Sequence, residues 1–355
     1  MSADLALVMI ARDEARCIER CLYSASAWVD EMIVLDTGSV DDTARRAAGA
    51  GARVHHFDWV DDFSAARNAA LLLSCATWSL VLDADEWIVS GGQSLLALRG
   101  QAGDFIGQIN VVSRYDGTGG AQGLAPSWLP RLLPSGVRFA GRIHEQPDSG
   151  LPRRRWPLRV AHDGYLAAQA QAKRGRNERL LRLALSEHPD DAYWRYQLGK
   201  DLEVRGQFEA AAPHYLQAHR LGLAQAGWRH DLVLRLLFTL KKGGRFEQAL
   251  ALAEAEMPQW THSPDFFFTL GDLLLDWAAH EPGRAGELLP MIESSWLRAL
   301  DIGENADLQD TVCGRGSFLA AHNLAVLHAS LGREQEAQAW REREQQSRQA
   351  ASAPE

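Results

Sequence analysis

Over the first 90 positions the apolar and polar residues change period repeatedly. "LALVMIA" (5–11) is an unbroken apolar run and reads as a strand buried on both faces. "EARCIERCLYSASAW" (14–28) has helical spacing, with Ile18, Cys21, Leu22 and Ala25 on one side. "EMIVLD" (31–36) is a second strand, and "TGSV" then turns into a helix at "DDTARRAAGAGA", which Asp41 or Asp42 can cap. "RVHHF" (53–57) is a short third strand, "FSAARNAALLLSCA" (63–76) a helix, and "SLVLDA" (79–84) a fourth strand. Strands separated by single helices predict βαβ units and a mostly parallel, Rossmann-like sheet, with ligands bound beyond the carboxyl ends of its strands. Asp36, Asp83 and Asp85 fall at that edge.

From about residue 100 to 165 the pattern loosens. "FIGQINVV" reads as a strand, after which Gly and Pro interrupt "GTGGAQGLAPSWLPRLLPSG" so often that loops and short strands over a site are expected. "GTGGAQG" (117–123) lacks the Lys-Ser/Thr ending of a Walker motif and reads as a mobile loop over a site, with Trp128 beside it able to stack on a ligand. After residue 168 the chain is helical and repeats itself. "YQLGKDLEVRGQFEAAAPHYLQA" (196–218) sets Leu198, Gly199, Ala211, Tyr215 and Ala218 at tetratricopeptide spacing around a turn at Gly206. Portions of that unit recur at 244–255, 268–278, 295–300 and 322–340. Such helix pairs stack so that each buries its neighbour's apolar face. The last residues, "EREQQSRQAASAPE", read as a frayed polar tail.

Composition narrows the class. With 355 residues, 46% hydrophobic and 23% charged, the chain is a globular protein long enough for two domains. A net charge of −9 argues against a nucleic-acid-binding face, and "RRRW" (153–156) is too short to supply one and reads as a solvated turn. No run approaches the ~18 apolar residues of a membrane span, and the start lacks the basic region of a signal peptide. Cys17, Cys21, Cys75 and Cys313 do not make a disulfide framework; Cys17 and Cys21 read as small buried hydrophobes, and a reducing cytoplasm fits.

The chemistry gathers in "SLVLDADEWI" (79–88), where a buried strand ends in Asp83, Asp85 and Glu86. So many carboxylates at one strand end call for something positive. Oxygen ligands there suit Mg²⁺ or Mn²⁺, which a protein commonly holds through one or two carboxylates plus substrate phosphates. A solvated acidic turn is the plainer alternative for an Asp-x-Asp taken alone.

Several motifs in order sharpen the choice. "VMIARDEARCIERCLYSASAWVDEMIVLDTGSVDDT", "HFDWVDDFSAARNAAL" and "LVLDADEWI" resemble the nucleotide-sugar half of the inverting glycosyltransferases of family 2, which have a GT-A fold. "PRLLPSGVRFAGRIHEQP" and "VAHDGY" resemble the bacterial branch in which tetratricopeptide repeats follow, a group that includes the peptide S-glycosyltransferases of glycocin biosynthesis. The resemblance is close over residues 5–165 and loose beyond. It implies an α/β GT-A domain over 1–165, an all-α tetratricopeptide-like domain over 166–345 and a tail over 346–355.

The resemblance also implies roles. Asp36 would contact the base or ribose, Arg67 would face the nucleotide with Asn68 supporting its loop, and Asp83 would bind ribose, metal-bound water or the metal. Asp85 would hold Mn²⁺ or Mg²⁺, with His162 completing the coordination or, in the plainer reading, capping the helical domain. An inverting transfer needs an acceptor-side base, first Glu145 and then His144 in "GRIHEQ", while Arg142 or Arg131 would neutralise the leaving diphosphate. Arg12, with Asp13 and Glu14, could line a uracil-type pocket, although an acidic pair opening a helix is equally a response to its dipole. The donor implied is a UDP-sugar. The acceptor is a peptide, protein or glycan presented by the repeats, unless the repeats join two copies as a homodimer. Two rivals stand beside this glycosyltransferase reading: a repeat scaffold with a degenerate transferase domain, and a nucleotidyltransferase, which would want a glycine-rich loop where "IARDEARC" has none.

Overall fold

Alternate residues of the first apolar run pack on opposite faces of a sheet, which is why the run shows no polar interruption. Strand β1 (Leu5–Ala11) sends Leu5, Leu7 and Met9 to one core with Ile18, Cys21 and Leu22 of helix α1 (Ile18–Ala25). It sends Ala6 and Val8 to a second core with Ala70 and Leu71 of α3 (Phe63–Leu72). The computed structural model describes residues 3–116, 122–165, 175–305, 308 and 311–352, and the chain divides into two units, 1–187 and 188–355.

In the first unit β2 (Glu31–Asp36), α2 (Thr43–Gly49), β3 (Arg53–His56) and β4 (Trp78–Val81) complete the alternating half, followed by β5 (Glu86–Ser90), β6 (Ile106–Asp116) and β7 (Gln122–Pro134). A small ribbon of β8 (Arg138–Ala140) and β9 (Gln146–Asp148) precedes β10 (Arg153–Tyr165) and α4 (Arg176–Glu187). The large sheet runs β3-β2-β1-β4-β7-β6-β10-β5. Strands β1 to β4 are mutually parallel, as are β6 and β10, whereas β7 is antiparallel to both its neighbours and β5 is antiparallel to β10. This is a GT-A-like mixed sheet, and it places the ends of β1, β2 and β4 along one edge.

Two expectations are corrected here. The Pro- and Gly-broken stretch is, from Gln122 on, the 13-residue strand β7. It meets β6 along its length but β4 only at Leu132–Pro134, so among the described residues the part of β7 that holds Pro126 and Pro130 has no strand on its other side, and a proline is tolerated at such an edge. Residues 117–121 of the expected loop lie outside the described residues. The expected turn at "RRRW" is instead the start of β10, whose Arg153, Arg154 and Arg155 pair with Ile106, Gly107 and Gln108. At α2 neither expected cap is orthodox: Asp42 holds the N-cap position but its carboxylate accepts from Arg45 and not from a helix N–H, and Asp41 accepts from Thr43 N at 2.9 Å.

The second unit is a series of helix pairs: α5 (Ala192–Val204) with α6 (Phe208–Leu221), α7 (Arg229–Lys242) with α8 (Phe246–Glu256), α9 (Pro264–His280) with α10 (Ala285–Ile302), and α11 (Phe318–Ser330) with α12 (Glu334–Ser352). The polar stretch expected to fray continues α12 to Ser352. Glycine lets two pairs close. A Cβ at Gly199 would stand 2.6 Å from Tyr215 Cδ1, and one at Gly271 would collide with the Trp296 indole. Gly271→Ala gains about 1 kcal/mol of helix propensity, but overpacking against a buried indole costs about 1–3 kcal/mol. A lower urea midpoint is expected, and a raised one would show that Trp296 has room to yield.

Candidate active site

Beyond β4 the chain runs Leu82-Asp83-Ala84-Asp85, and burial of Leu82 and Ala84 in the core anchors the aspartate that follows each of them. The positive groups that the strand end demands are already in the fold. Asp83 Oδ1 accepts from Arg67 Nη2 at 2.7 Å and its Oδ2 from Arg131 Nη2 at 2.8 Å. Arg131 Nη2 also reaches Glu86 Oε1 at 2.8 Å, and Glu86 Oε2 accepts from the Asp83 backbone N–H at 2.9 Å. Packing around Asp83 would alone raise its pKa, but the charges of Arg131 and Arg67 outweigh it and hold the carboxyl well below the usual range. Glu86 shifts the other way, because its burial and the charge of Asp83 exceed what Arg131 offsets.

Helix α3 carries this network to the ribbon. Arg67 Nε donates to Glu145 Oε1 in a short ion pair, while Arg67 Nη1 is buried with no hydrogen-bond partner among the described residues. Its neighbour Asn68 donates to Phe139 O at 2.9 Å and accepts from Phe139 N at 2.8 Å, pairing with β8 as another strand would. The turn between β8 and β9 therefore carries Glu145 to Arg67. His144, one residue before, takes φ = +53°, an uncommon conformation outside glycine. Among the described residues, Glu145 Oε2 accepts no hydrogen bond.

Asp85 has different company. Its Oδ2 lies 3.5 Å from His162 Nε2, and the other ring nitrogen, Nδ1, is 2.9 Å from Ser113 Oγ. Burial would lower the His162 pKa, but Asp85 prevails and raises it. Next in β10, Asp163 is gripped by Arg16, with both nitrogens at 3.1 Å, and by Arg20 at 2.7 Å, which fastens this strand end to α1.

The remaining sequence-derived candidates separate into two groups. Asp36, buried at the end of β2, accepts from Ser39 N at 3.2 Å and from Ser39 Oγ, and lies 3.5 Å from His56 Nδ1. Asp13 knits the loop after β1 to the loop after β2, its carboxylate accepting from Val40 N at 2.8 Å and its backbone N–H donating to Ser39 Oγ at 2.9 Å. Arg12 is half-exposed beside it, 3.9 Å from its carboxylate. Arg142 and Trp128 have other engagements. The Arg142 fork closes on Glu187 of α4 at 2.9 and 2.6 Å, and the Trp128 ring is covered by Arg155 at 5.0 Å. Sequence reasoning missed Ser113, Asp163, Arg16 and Arg20. Ser113 and His162 are 49 positions apart and meet because their strands pair, a relation that spacing does not encode.

Among the described residues no group of three His, Cys, Asp or Glu side chains converges as a metal cage. Asp85 with His162 is an oxygen–nitrogen donor pair, which suits a divalent cation that draws its other ligands from a diphosphate and water. Asp83, committed to two guanidinium groups, is not part of that pair.

The sheet order and the carboxylates at its parallel edge define a GT-A-type domain followed by tetratricopeptide-like helices. Residues 6–112 match the model of glycosyl transferase family 2, and the chain carries a domain of that family. It is 36% identical over 273 residues to a TPR repeat-containing protein of Synechococcus elongatus, covering 72% of this chain and 66% of that one. It is 27% identical over 211 residues to the SPbeta prophage-derived glycosyltransferase SunS of Bacillus subtilis, covering 57% and 50% respectively. The chain thus spans between half and just under two thirds of these curated relatives. A glucosyl-3-phosphoglycerate synthase from Mycobacterium tuberculosis, solved with Mn²⁺ and UDP, is 24% identical over 32% of this chain and 44% of its own, with a TM-score of 0.26, too low to carry an argument.

Proposed function

We propose that the first unit is an inverting glycosyltransferase, using a divalent cation to transfer a sugar from a nucleotide-sugar donor, a UDP-sugar first, to an acceptor bound by the repeats. The observation that carries this reading is the meeting, at one sheet edge of a family 2 domain, of a cation-competent pair (Asp85, His162) with a buried arginine that ties the strand-end Asp83 to Glu145 (Arg67). In this reading Asp85 and His162 hold Mn²⁺ or Mg²⁺, which when bound neutralises charge on the leaving diphosphate. Asp36 accepts hydrogen bonds from the nucleoside, and Asp83 fixes Arg67 and Arg131, whose positive charge faces the nucleotide. Glu145, held through Oε1, takes the acceptor proton on Oε2, and His144 is second in line. A peptide acceptor fits the extended binding surfaces that stacked helix pairs build, and a cytoplasmic setting fits the free cysteines.

Calorimetric titration of UDP, with Mn²⁺ and then with EDTA, tests the proposal. Binding should require the cation. Asp85→Ala should weaken it by at least about 100-fold, since even residues that merely support a metal ligand are worth 10–100-fold. Binding of UDP, GDP, CDP and dTDP all failing would remove the enzyme reading, and release of pyrophosphate instead of diphosphate would point to nucleotidyl transfer.

A further inference from the structure

We infer that Ser113 is a positioning residue that fixes the His162 ring for a divalent cation, an assignment that rests on the Asp85–His162 reading above. Ser113 on β6 and His162 on β10 are register partners in a parallel pair, so their side chains stand on the same face of the sheet. The ring bridges two groups through opposite nitrogens: Nδ1 is 2.9 Å from Ser113 Oγ, and Nε2 is 3.5 Å from Asp85 Oδ2. Ser113 is only 6% exposed, and among the described residues its hydroxyl has no hydrogen-bond partner besides His162. A buried hydroxyl dedicated to one imidazole nitrogen is the arrangement that holds a histidine ligand in place from behind.

The hydroxyl suits both states of the ring because it donates and accepts. When Nε2 coordinates a cation, the neutral imidazole carries its proton on Nδ1, and Ser113 Oγ accepts it. The 2.9 Å contact serves in either direction, the hydroxyl donating to a bare Nδ1 or accepting from Nδ1–H. Alanine at 113 would leave the cation-binding tautomer with a buried N–H and no acceptor, so that tautomer would become the disfavoured one. The cluster on the other flank, Asp163 with Arg16 and Arg20, holds the backbone of the same strand end but does not touch the ring nitrogens in these contacts.

The test uses the full chain and Mn²⁺ itself, with and without UDP, followed by electron paramagnetic resonance. Ser113→Ala should raise the Mn²⁺ dissociation constant 10–100-fold, and Ser113→Thr, which keeps the hydroxyl, should return it to within a few-fold of wild type. Wild-type binding with an unchanged constant in Ser113→Ala would overturn this inference and leave the metal reading standing. Failure of the wild type to bind Mn²⁺ at all would remove the metal reading and this inference with it. A folded Ser113→Thr that stays as weak as Ser113→Ala would assign the loss to packing and overturn the positioning role. The wild type alone supplies an independent check. In its Mg²⁺–UDP complex the His162 ring, assigned by its disappearance in His162→Gln, should show the proton on Nδ1 in nitrogen-15 NMR, and an Nε2–H tautomer would overturn the inference.

Discussion

Arg67→Ala should destabilise the first unit by about 3–5 kcal/mol, the range for removing one partner of a buried ion pair. That is a large share of the ~5–15 kcal/mol that holds a typical domain. The reason is specific. Arg67 serves two carboxylates from one fork, Glu145 through Nε and Asp83 through Nη2, and both would be left short of a partner. Arg131 continues to hold Asp83 Oδ2, so the greater injury falls on Glu145 and the turn that carries it. Arg67→Lys should lie between wild type and alanine, because an ammonium cannot reproduce the two-sided planar fork. Urea unfolding measures both variants, and since a chain of two units need not unfold in one step, the transition to follow is the one that moves with changes in the sheet. An unshifted transition in Arg67→Ala would mean that the network contributes little to folding.

Glu145→Gln should slow sugar transfer by about 10²–10⁴-fold, the usual worth of a general base, while UDP binding changes little. Glutamine retains a carbonyl oxygen for Arg67, so the turn keeps its tether, but it cannot take a proton. Single-turnover hydrolysis of UDP-sugars, with water as the acceptor, measures the rate without a known natural acceptor, and calorimetry with UDP and Mn²⁺ measures the binding. A rate within a few-fold of wild type would move the role to His144, whose own glutamine variant is the companion experiment. Loss of binding together with rate would instead mark Glu145 as a purely structural partner of Arg67.

Strands buried on both faces announce themselves, and so β1 and β2 were legible to the residue, as was the buried side of α1. The helix pairs of the second unit were legible for a similar reason: small residues such as Gly199 and Gly271 must recur where an aromatic ring from the partner helix lies. β7 was not legible, because a proline carries the same letter on a strand edge as in a loop, and what separates the two is that β4, among the described residues, reaches β7 only at Leu132–Pro134. In the site, the positions of Asp36, Asp83 and Asp85 at strand ends could be read. Their partners could not. Spacing places Asp83 and Asp85 side by side, yet one turns to two arginines and the other to a histidine. Arg142 looked available from its motif, but its fork is closed by Glu187, which belongs to a helix 45 residues later.

Arg67 and Asn68 are consecutive residues of one helix, the first tied to the strand-end aspartate and to Glu145, the second to the backbone of the ribbon on which Glu145 rides. The proposed donor and acceptor sides are thus written into adjacent codons. A lineage drifting away from transfer has little freedom to discard one side and retain the other as a nucleotide binder, since a change in this dipeptide loosens both. Decay of this domain, where it happens, should be abrupt rather than piecemeal, and an engineer seeking a new acceptor would do better to vary the outer face of the ribbon than the helix beneath it.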